Sequence, residues 1–191
     1  MFSSKGYHAA TVDDITRAAG VAKGTYYLYF AEKRTAFYEL IEGFFGMVTE
    51  AMSVAAQITS SEDYLARMAR ASRQLARVFR DNRDLVRLTF RESMGLDEQL
   101  ESMVREFYRE MARLEAENVE LGVRLGLLRP DLDPTLTAYA HIGMVERVLM
   151  QWLFDRSFPE IHDLVDKLVS LAYQGMERRD AKDPGRRRSN D

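Results

Sequence analysis

The chain of 191 residues carries 27 lysines and arginines against 30 aspartates and glutamates, and its net charge of −3 excludes wholesale coating of nucleic acid or anionic lipid. Because it has no cysteine, it can form neither disulfides nor thiolate metal sites. No apolar run approaches the roughly 20 residues of a membrane span, so we expect a soluble cytoplasmic protein without a membrane partner.

Helical periodicity extends over nearly the whole sequence. Apolar residues recur every three or four positions, the four prolines lie where that period breaks, and no alternating run is long enough for a sheet. The predicted helices cover residues 12–19, 23–30, 33 to the mid-fifties, 62–80, 83–94, 97–127, 134–154 and 159–178. The predicted fold class is therefore all-α, followed by a tail, residues 179–191, that we expect to be disordered.

The first two predicted helices form a helix-turn-helix pattern. Thr11 and Asp14 have the spacing of an N-terminal cap, and Gly20 supplies the left-handed residue that ends the first helix. In the second helix, Tyr26 and Phe30 are four positions apart and form a buried edge. The outward face, of the kind that enters a major groove, carries Lys23, Gly24, Thr25, Tyr27 and Tyr29.

The residues of this outward face suit contact with DNA. Gly24 allows close backbone approach, the hydroxyls of Thr25 and the tyrosines can donate to phosphate oxygens, and Lys23 can reach a phosphate or a guanine edge. An aromatic stripe belongs more often to a core, which is the alternative interpretation. However, the aromatic side chains at positions 26, 27, 29 and 30 point around most of the helix, so some must face outward.

The segment "KGYHAATVDDITRAAGVAKGTYYLYFAEKRTAFYEL", Lys5 to Leu40, closely resembles the DNA-binding segment of the tetracycline-repressor (TetR) family of bacterial transcription regulators. The resemblance implies a homodimer that binds a palindromic operator in double-stranded DNA. It also implies an N-terminal helix-turn-helix DNA-binding domain, residues 1–45, and a larger helical ligand-binding and dimerisation domain, residues 46–178. We expect a repressor that a small apolar effector releases from its operator.

The resemblance assigns DNA contacts residue by residue. Residues at the start of the second predicted helix, the recognition helix, would contact base edges in the groove. Two tyrosines, a lysine and a threonine around that helix would contact phosphates. The groove-reading residues are Lys23, Gly24 and Thr25. The phosphate-contacting residues are Tyr27, Tyr29, Lys33 and Thr11.

The sequence departs from the family pattern at three places. Only residues 1–4 stand in place of the helix that normally precedes this segment. Ala22 replaces the usual serine cap, a loss of about 1 kcal/mol, and Glu32 places an acid near the expected phosphates. We favour a true start upstream of Met1. The alternative is a helical ligand-binding dimer whose DNA binding is impaired because its first helix is missing.

For the larger domain, the resemblance implies an enclosed small-molecule site. Methionine and aromatic side chains at helical spacing give such a site an adaptable apolar lining, and an arginine is a candidate for a polar contact. The candidate ligand-binding residues are Met68, Phe79, Arg91, Met94, Met103, Phe107 and Met111, with Tyr108 extending the same lining. The alternatives are ordinary core packing for the apolar residues and a helix-surface role for Arg91.

The last two predicted helices carry apolar stripes that require a partner. In the family, such a pair forms a four-helix bundle with a second subunit, and the resemblance implies the same here. The candidate dimer-interface residues are His141, Val145, Leu149, Trp152, Leu164, Leu168 and Leu171. For Trp152, burial within its own subunit is an equally good interpretation.

The sequence predicts no enzyme, no cofactor and no metal centre. Its three histidines lack zinc or di-iron spacing, and phosphate-loop, dinucleotide and nucleophile-elbow motifs are absent. We assign the acidic cluster Glu115, Glu117 and Glu120 to a solvated, arginine-rich helix face rather than to acid–base catalysis. No catalytic residue is therefore expected.

Overall fold

The computed structural model describes residues 1–53, 58, 60–92, 97–155 and 157–177, leaving out the side chains of residues 162, 163 and 166. This described part is all-α, which confirms the predicted fold class. Its helices are α1 (Phe2–Lys5), α2 (Val12–Ala19), α3 (Lys23–Tyr29), α4 (Lys33–Met52), α5 (Ser61–Asp81), α6 (Arg83–Glu92), α7 (Glu98–Arg124), α8 (Pro134–Phe154) and α9 (Ile161–Met176). None of them combines the length and the apolar character that a membrane span requires.

The helix ends follow local signals in the sequence. The predicted ranges 12–19 and 134–154 are confirmed at both ends, and Thr11 and Asp14 form the predicted capping box at the start of α2. Gly20 ends α2 in the left-handed region at φ 68°. α7 ends before its predicted limit because Gly126, at φ 72°, turns the chain away. The predicted end at residue 94 and the predicted disordered tail lie outside the described residues.

The N-terminal unit is anchored on α4. Phe2 of α1 is buried and packs edge-on against Phe37 of α4, with ring centroids 5.3 Å apart. Tyr7 joins this cluster at 4.8 Å from the Phe37 ring. The segment before α2 therefore rests on the long helix that continues into the larger domain.

The larger domain is built around the second half of α4. This half packs against α5 and α7, while α9 packs on α5 and α8 packs on α7. His141 of α8 lies opposite Glu115 of α7, and Glu146 lies opposite Tyr108, so the two helices run antiparallel. The packing leaves an internal cavity bounded by α4 to α8.

Two arginines of α6 hold the C-terminal end of α8. Arg83 Nη2 donates to the carbonyl oxygen of Trp152 at 2.6 Å, and Arg87 Nη2 donates to that of Leu153 at 2.9 Å. Both carbonyls belong to the last turn of α8, where a helix lacks its own donors. The Arg83 guanidinium also lies 4.3 Å from the Trp152 ring centroid. These contacts fix the direction of α8 along the cavity.

Candidate DNA-binding surface and ligand cavity

α3 presents one side to the domain and the other to solvent. Tyr26 is 5% exposed, and its hydroxyl donates to the carbonyl oxygen of Glu32 at 3.3 Å. Tyr27 and Tyr29, by contrast, are 50% and 74% exposed. The α3 residues for which we predicted DNA contacts, Lys23, Gly24, Thr25, Tyr27 and Tyr29, are all exposed. The helix thus has a largely exposed outer face that carries polar, aromatic and apolar side chains.

Lys23 and Thr11 are tied to α2. Lys23 Nζ lies 2.9 Å from Asp13 Oδ1 in an exposed ion pair. Such exposed pairs are weak and are screened by salt, so a phosphate can replace the carboxylate. Thr11 Oγ1 accepts from the Asp14 amide at 3.1 Å and donates to Asp14 Oδ2 at 2.9 Å. The Thr11 hydroxyl therefore already serves the capping box.

The Lys33 ammonium points into the domain, which corrects the prediction of a phosphate contact. Lys33 Nζ donates to the carbonyl oxygens of Tyr7, His8 and Ala10 at 2.8, 3.3 and 2.9 Å. An ammonium has three hydrogens, and here each of them has a carbonyl acceptor. Lys33 therefore joins the start of α4 to the segment before α2 instead of facing DNA.

An apolar cavity of about 150 Å³ lies inside the larger domain. One buried water needs only about 10–15 Å³, so the cavity has room for a small molecule. Phe44, Phe45 and Val48 of α4 form one wall, and Phe45 stacks on Phe107 of α7 with ring centroids 3.9 Å apart. Val86 of α6 closes one side. The lining is predominantly apolar, as in typical small-molecule sites.

The structure brings together part of the predicted ligand site. Met103 packs against the core without lining the cavity. The Arg91 guanidinium lies beside Gly6 and forms an ion pair with Glu92 at 3.0 Å, so the predicted ligand contact of Arg91 is corrected to a contact with the N-terminal segment. Met94 lies outside the described residues. The predicted residues that do line the cavity are Met68, Phe79, Phe107, Tyr108 and Met111.

One wall of the cavity, between α7 and α8, is polar. His141 Nδ1 lies 2.5 Å from Glu115 Oε1, and the Glu115 side chain is only 8% exposed. Burial lowers the pKa of His141, but the hydrogen bond and the charge of Glu115 outweigh it, so the net shift is upward. Burial raises the pKa of Tyr108, and the Glu146 carboxylate raises it further. Among the described residues no group of side chains suited to a metal ion is found.

The buried Glu115 corrects our assignment of the acidic cluster to a solvated face. Glu117 and Glu120 do lie at the surface, where they pair with Arg113 and Arg124. Glu115 instead shares the inward face of α7 with Met111 and packs into the cavity wall. The spacing of four residues from Met111 was the signal that could have identified it.

The predicted dimer-interface residues divide into two groups. The α8 members face inward: His141, Val145 and Leu149 line the cavity, and Trp152 is 1% exposed within its own subunit. For His141, Val145 and Leu149 this corrects the assignment to a partner interface, because their side chains line the cavity. For Trp152 it confirms the alternative of burial within its own subunit. Of the α9 members, Leu171 is 61% exposed, while Leu164 and Leu168 are half-buried.

Family models match both parts of the chain. Residues 1–39 match the N-terminal model of the bacterial regulatory proteins of the tetR family, and residues 61–176 match the tetracyclin repressor-like C-terminal domain. The chain belongs to the TetR family. It is a DNA-binding transcriptional regulator with an N-terminal helix-turn-helix domain and a C-terminal helical domain. This confirms the resemblance, the fold and the regulatory function predicted from the sequence.

Three other proteins are similar to the chain over most of their length. An uncharacterised helix-turn-helix regulator of Bacillus subtilis, YdgC, is 28% identical over 92% of this chain and 86% of its own. The regulator FadR of Bacillus subtilis, solved with stearoyl-CoA, is 19% identical with a TM-score of 0.75, covering 92% of this chain and 94% of its own. SmeT, solved with triclosan, is 14% identical with a TM-score of 0.78, covering 93% and 86%.

The apolar period of α8 did not predict the polar cavity wall of this TetR-family chain. His141 and Glu146 of α8 share a face with the apolar residues Ile142 and Val145, and a polar side chain within an apolar stripe is a signal that the sequence offers. The stripe on its own predicted a dimer interface. The structure assigns it to the cavity.

Proposed function

We propose that the chain is a homodimeric repressor that binds a palindromic operator and leaves it when a small apolar effector enters the cavity. The observation that carries the proposal is the outer face of α3, exposed opposite the buried Tyr26. A protruding helix with one buried edge and one polar face is the element that helix-turn-helix proteins insert into a major groove. As a DNA-binding regulator of the TetR family, the protein would act in the cytoplasm.

The proposed DNA contacts are of two kinds, those that read base edges and those that position the protein on the phosphates. We assign base reading to Lys23, Gly24 and Thr25, whose side chains or backbone are open to solvent. Nothing lies within 4 Å of a Cβ built on Gly24, so the α3 backbone can approach a groove closely. Tyr27 and Tyr29 are exposed, and we assign to their hydroxyls the role of donors to phosphate oxygens. In a dimer, the two α3 helices would lie about 34 Å apart or somewhat more.

Effector control is supported by the position of the cavity. α4 starts at Lys33 beside the DNA-binding unit and contributes Phe44, Phe45 and Val48 to the cavity wall. α6 contributes Val86 to the cavity lining and carries Arg91, in its last turn, beside Gly6. An effector that favours another arrangement of these helices would lower operator affinity by a coupling free energy of about 1 to 3 kcal/mol.

Dimerisation is supported by large apolar side chains left exposed on α8 and α9. Exposed apolar groups clustered on neighbouring helices are a common mark of a subunit interface. They are Leu136, Tyr139 and Phe154 on α8 and Leu171 on α9, which are 69%, 50%, 59% and 61% exposed. We propose this surface, rather than the stripe around His141, as the dimer interface.

Selection of bound DNA from a random pool tests the proposal. We expect enrichment of an inverted repeat, and we expect Lys23→Ala to alter the preferred sequence as well as the affinity. A pool in which no sequence is enriched would overturn the repressor function. If the same protein still dimerised and bound apolar ligands, the alternative of a ligand-binding dimer with impaired DNA binding would replace it.

A further inference from the structure

We infer, on the basis of the proposed effector-controlled function, that the cavity takes a lipophilic amine whose ammonium group pairs with Glu146. The apolar walls of α4 and α5 would hold the hydrocarbon part. The polar wall between α7 and α8 would hold the charged head.

The charges around the cavity carry this inference. Its lining includes two carboxylates, Glu115 and Glu146, and a single imidazole, His141. No lysine or arginine occurs among the described lining residues. Even with His141 charged, the lining therefore carries a net negative charge. An anionic head group such as a carboxylate would meet repulsion without a compensating cation, whereas an ammonium would be attracted.

The two carboxylates differ in whether a partner that can carry a positive charge already lies beside them. Glu115 is held by His141 through the contact of 2.5 Å. Glu146 faces the hydroxyl of Tyr108, and it takes part in none of the ion pairs found within the described part of the chain. A half-buried carboxylate with a neutral neighbour gains most from an incoming cation, because a charge-assisted hydrogen bond then forms in a largely apolar site. Glu146 is therefore the anchor for the ammonium.

A set of three probes with the same chain and different head groups tests the inference: decylamine, decanol and decanoate, each below its micellar range. Binding to the purified full-length protein is measured by titration calorimetry without DNA. We expect decylamine to bind tighter than decanol by about tenfold or more, the usual strength of a charge-assisted hydrogen bond, and decanoate to bind weakest. Equal or tighter binding of decanoate by the unmodified protein would overturn the inference.

Two carboxylate variants locate the head group. Glu146→Gln keeps an acceptor for Tyr108 but removes the charge, so it should abolish the preference for decylamine over decanol. Glu120→Gln removes an exposed carboxylate of α7 outside the cavity and should leave the preference unchanged. Decanol affinity of Glu146→Gln reports whether its cavity is intact. A preference that survives in Glu146→Gln with decanol binding intact would also overturn the inference.

These outcomes are separable from those of the proposed function. If decylamine binds selectively while no DNA sequence is enriched, the effector class stands and the repressor function fails. If an operator is found while decanoate binds as well as decylamine, the repressor function stands and the effector class fails.

A different observation, on α3, leads us to infer that Leu28 reads a thymine in the operator. Leu28 is 81% exposed, more than Tyr27 or Tyr29. At 100° per residue, Leu28 and Gly24 both lie about 200° around the helix from the buried Tyr26, so they form the centre of the outer face. A leucine at that position meets base edges first when α3 enters a groove.

The chemistry of the major groove defines the base. The 5-methyl group of thymine is the only apolar group that the four base pairs present there. Leu28 can bury that methyl, whereas it can offer no hydrogen bond to the other base edges. Burial of one methyl corresponds to about fourfold in affinity.

Replacement of thymine by uracil tests this contact, because uracil lacks only the methyl group. With the selected operator, each thymine is replaced in turn in both half-sites, and affinity is measured by gel shift. We expect one position at which replacing thymine by uracil lowers the affinity of the unmodified protein by about fourfold per half-site. The same replacement should leave the affinity of Leu28→Ala unchanged. Uracil sensitivity that is the same in Leu28→Ala, or no sensitive position at all, would overturn the role of Leu28 without affecting DNA binding itself.

Discussion

Lys33 Nζ lies 2.8 Å from the carbonyl oxygen of Tyr7 and 4.5 Å from the centroid of the Tyr7 ring. This contact links the first turn of α4 to the segment before α2. We predict that Lys33→Met lowers the free energy of unfolding by on the order of 2 kcal/mol, because charged hydrogen bonds to backbone carbonyls are lost. Urea denaturation measures the change.

The same variant distinguishes a structural lysine from a phosphate contact. Removing a phosphate contact reduces the salt dependence of DNA binding by about one unit of slope. Lys33→Met should weaken binding without changing that slope, while Lys23→Met, which breaks only an exposed ion pair, should change the stability little. A smaller salt slope in Lys33→Met with unchanged stability would show that Lys33 faces the phosphates after all.

Tyr27→Phe should weaken binding to all DNA sequences alike, because it removes one hydroxyl that we assign to a phosphate oxygen. The expected loss is about fivefold to tenfold, the value of one hydrogen bond. Tyr26→Phe serves as the comparison, since its hydroxyl donates to the Glu32 carbonyl and should affect stability rather than binding. Gel shifts with operator and random DNA measure both; a loss confined to one sequence would contradict a phosphate contact.

Leu171→Glu should dissociate the proposed dimer. Leu171 is 61% exposed in the single chain, and a glutamate there would place an unpaired charge in the interface of each subunit. We expect the dimer dissociation constant, measured by sedimentation equilibrium, to rise at least about tenfold. Leu40→Glu alters an exposed leucine of α4 and should leave the dimer intact. If Leu171→Glu sediments as the unmodified protein does, the interface lies elsewhere.

The His141–Glu115 pair should make stability depend on pH. Glu115 raises the pKa of His141 against the opposing effect of burial, so the pair's contribution is fully present below about pH 6.5. This contribution to stability is lost as the pH rises through the raised pKa that His141 has in the folded protein. In Glu115→Gln, only burial still acts on the pKa of His141, and it lowers that pKa. The difference in unfolding free energy between the unmodified protein and Glu115→Gln should therefore shrink from acidic to alkaline pH.

Urea titrations at a series of pH values measure this difference. Tyr64 also faces Glu115, but burial raises its pKa out of the window, so its titration does not interfere. If the unfolding free energies of the unmodified protein and Glu115→Gln change in parallel with pH, the pair does not titrate over the pH range measured.

Gly122→Ala should destabilise the fold by about 1 to 3 kcal/mol through overpacking. An added Cβ would lie 2.7 Å from Leu128 Cδ1 and 2.8 Å from the Tyr64 hydroxyl oxygen. Gly46→Ala in α4 meets nothing within 4 Å and should stabilise its helix by up to about 1 kcal/mol. Thermal unfolding compares the two; a Gly122→Ala protein as stable as the unmodified one would contradict the close packing.

Local chemistry explains why much of the fold could be predicted. Thr11, Asp14 and Gly20 act within one or two turns of α2, so the sequence contains the whole cause of its ends. The same holds for the inward Tyr26 and the outward Tyr27 and Tyr29, since helical geometry alone separates them.

Long-range packing explains what could not be predicted. The period of α8 correctly grouped His141, Val145 and Leu149 on one face, but a stripe looks the same whether another subunit or α7 covers it. Lys33 is similar, because a charged residue early in a helix gives no local sign that its ammonium turns back to Tyr7. Partner choice in both cases depends on residues far away in the sequence.

α4 runs without interruption from Lys33 to Met52, about 30 Å at 1.5 Å per residue. At its start, Lys33 forms hydrogen bonds to the segment before α2. In its second half, Phe44 and Val48 form part of the cavity wall. In the proposed mechanism, a ligand that displaces this wall would displace α4 as a whole, because the helix is continuous. The same displacement would then be passed through Lys33 to the segment before α2, and would change the orientation that we propose for α3 on the operator.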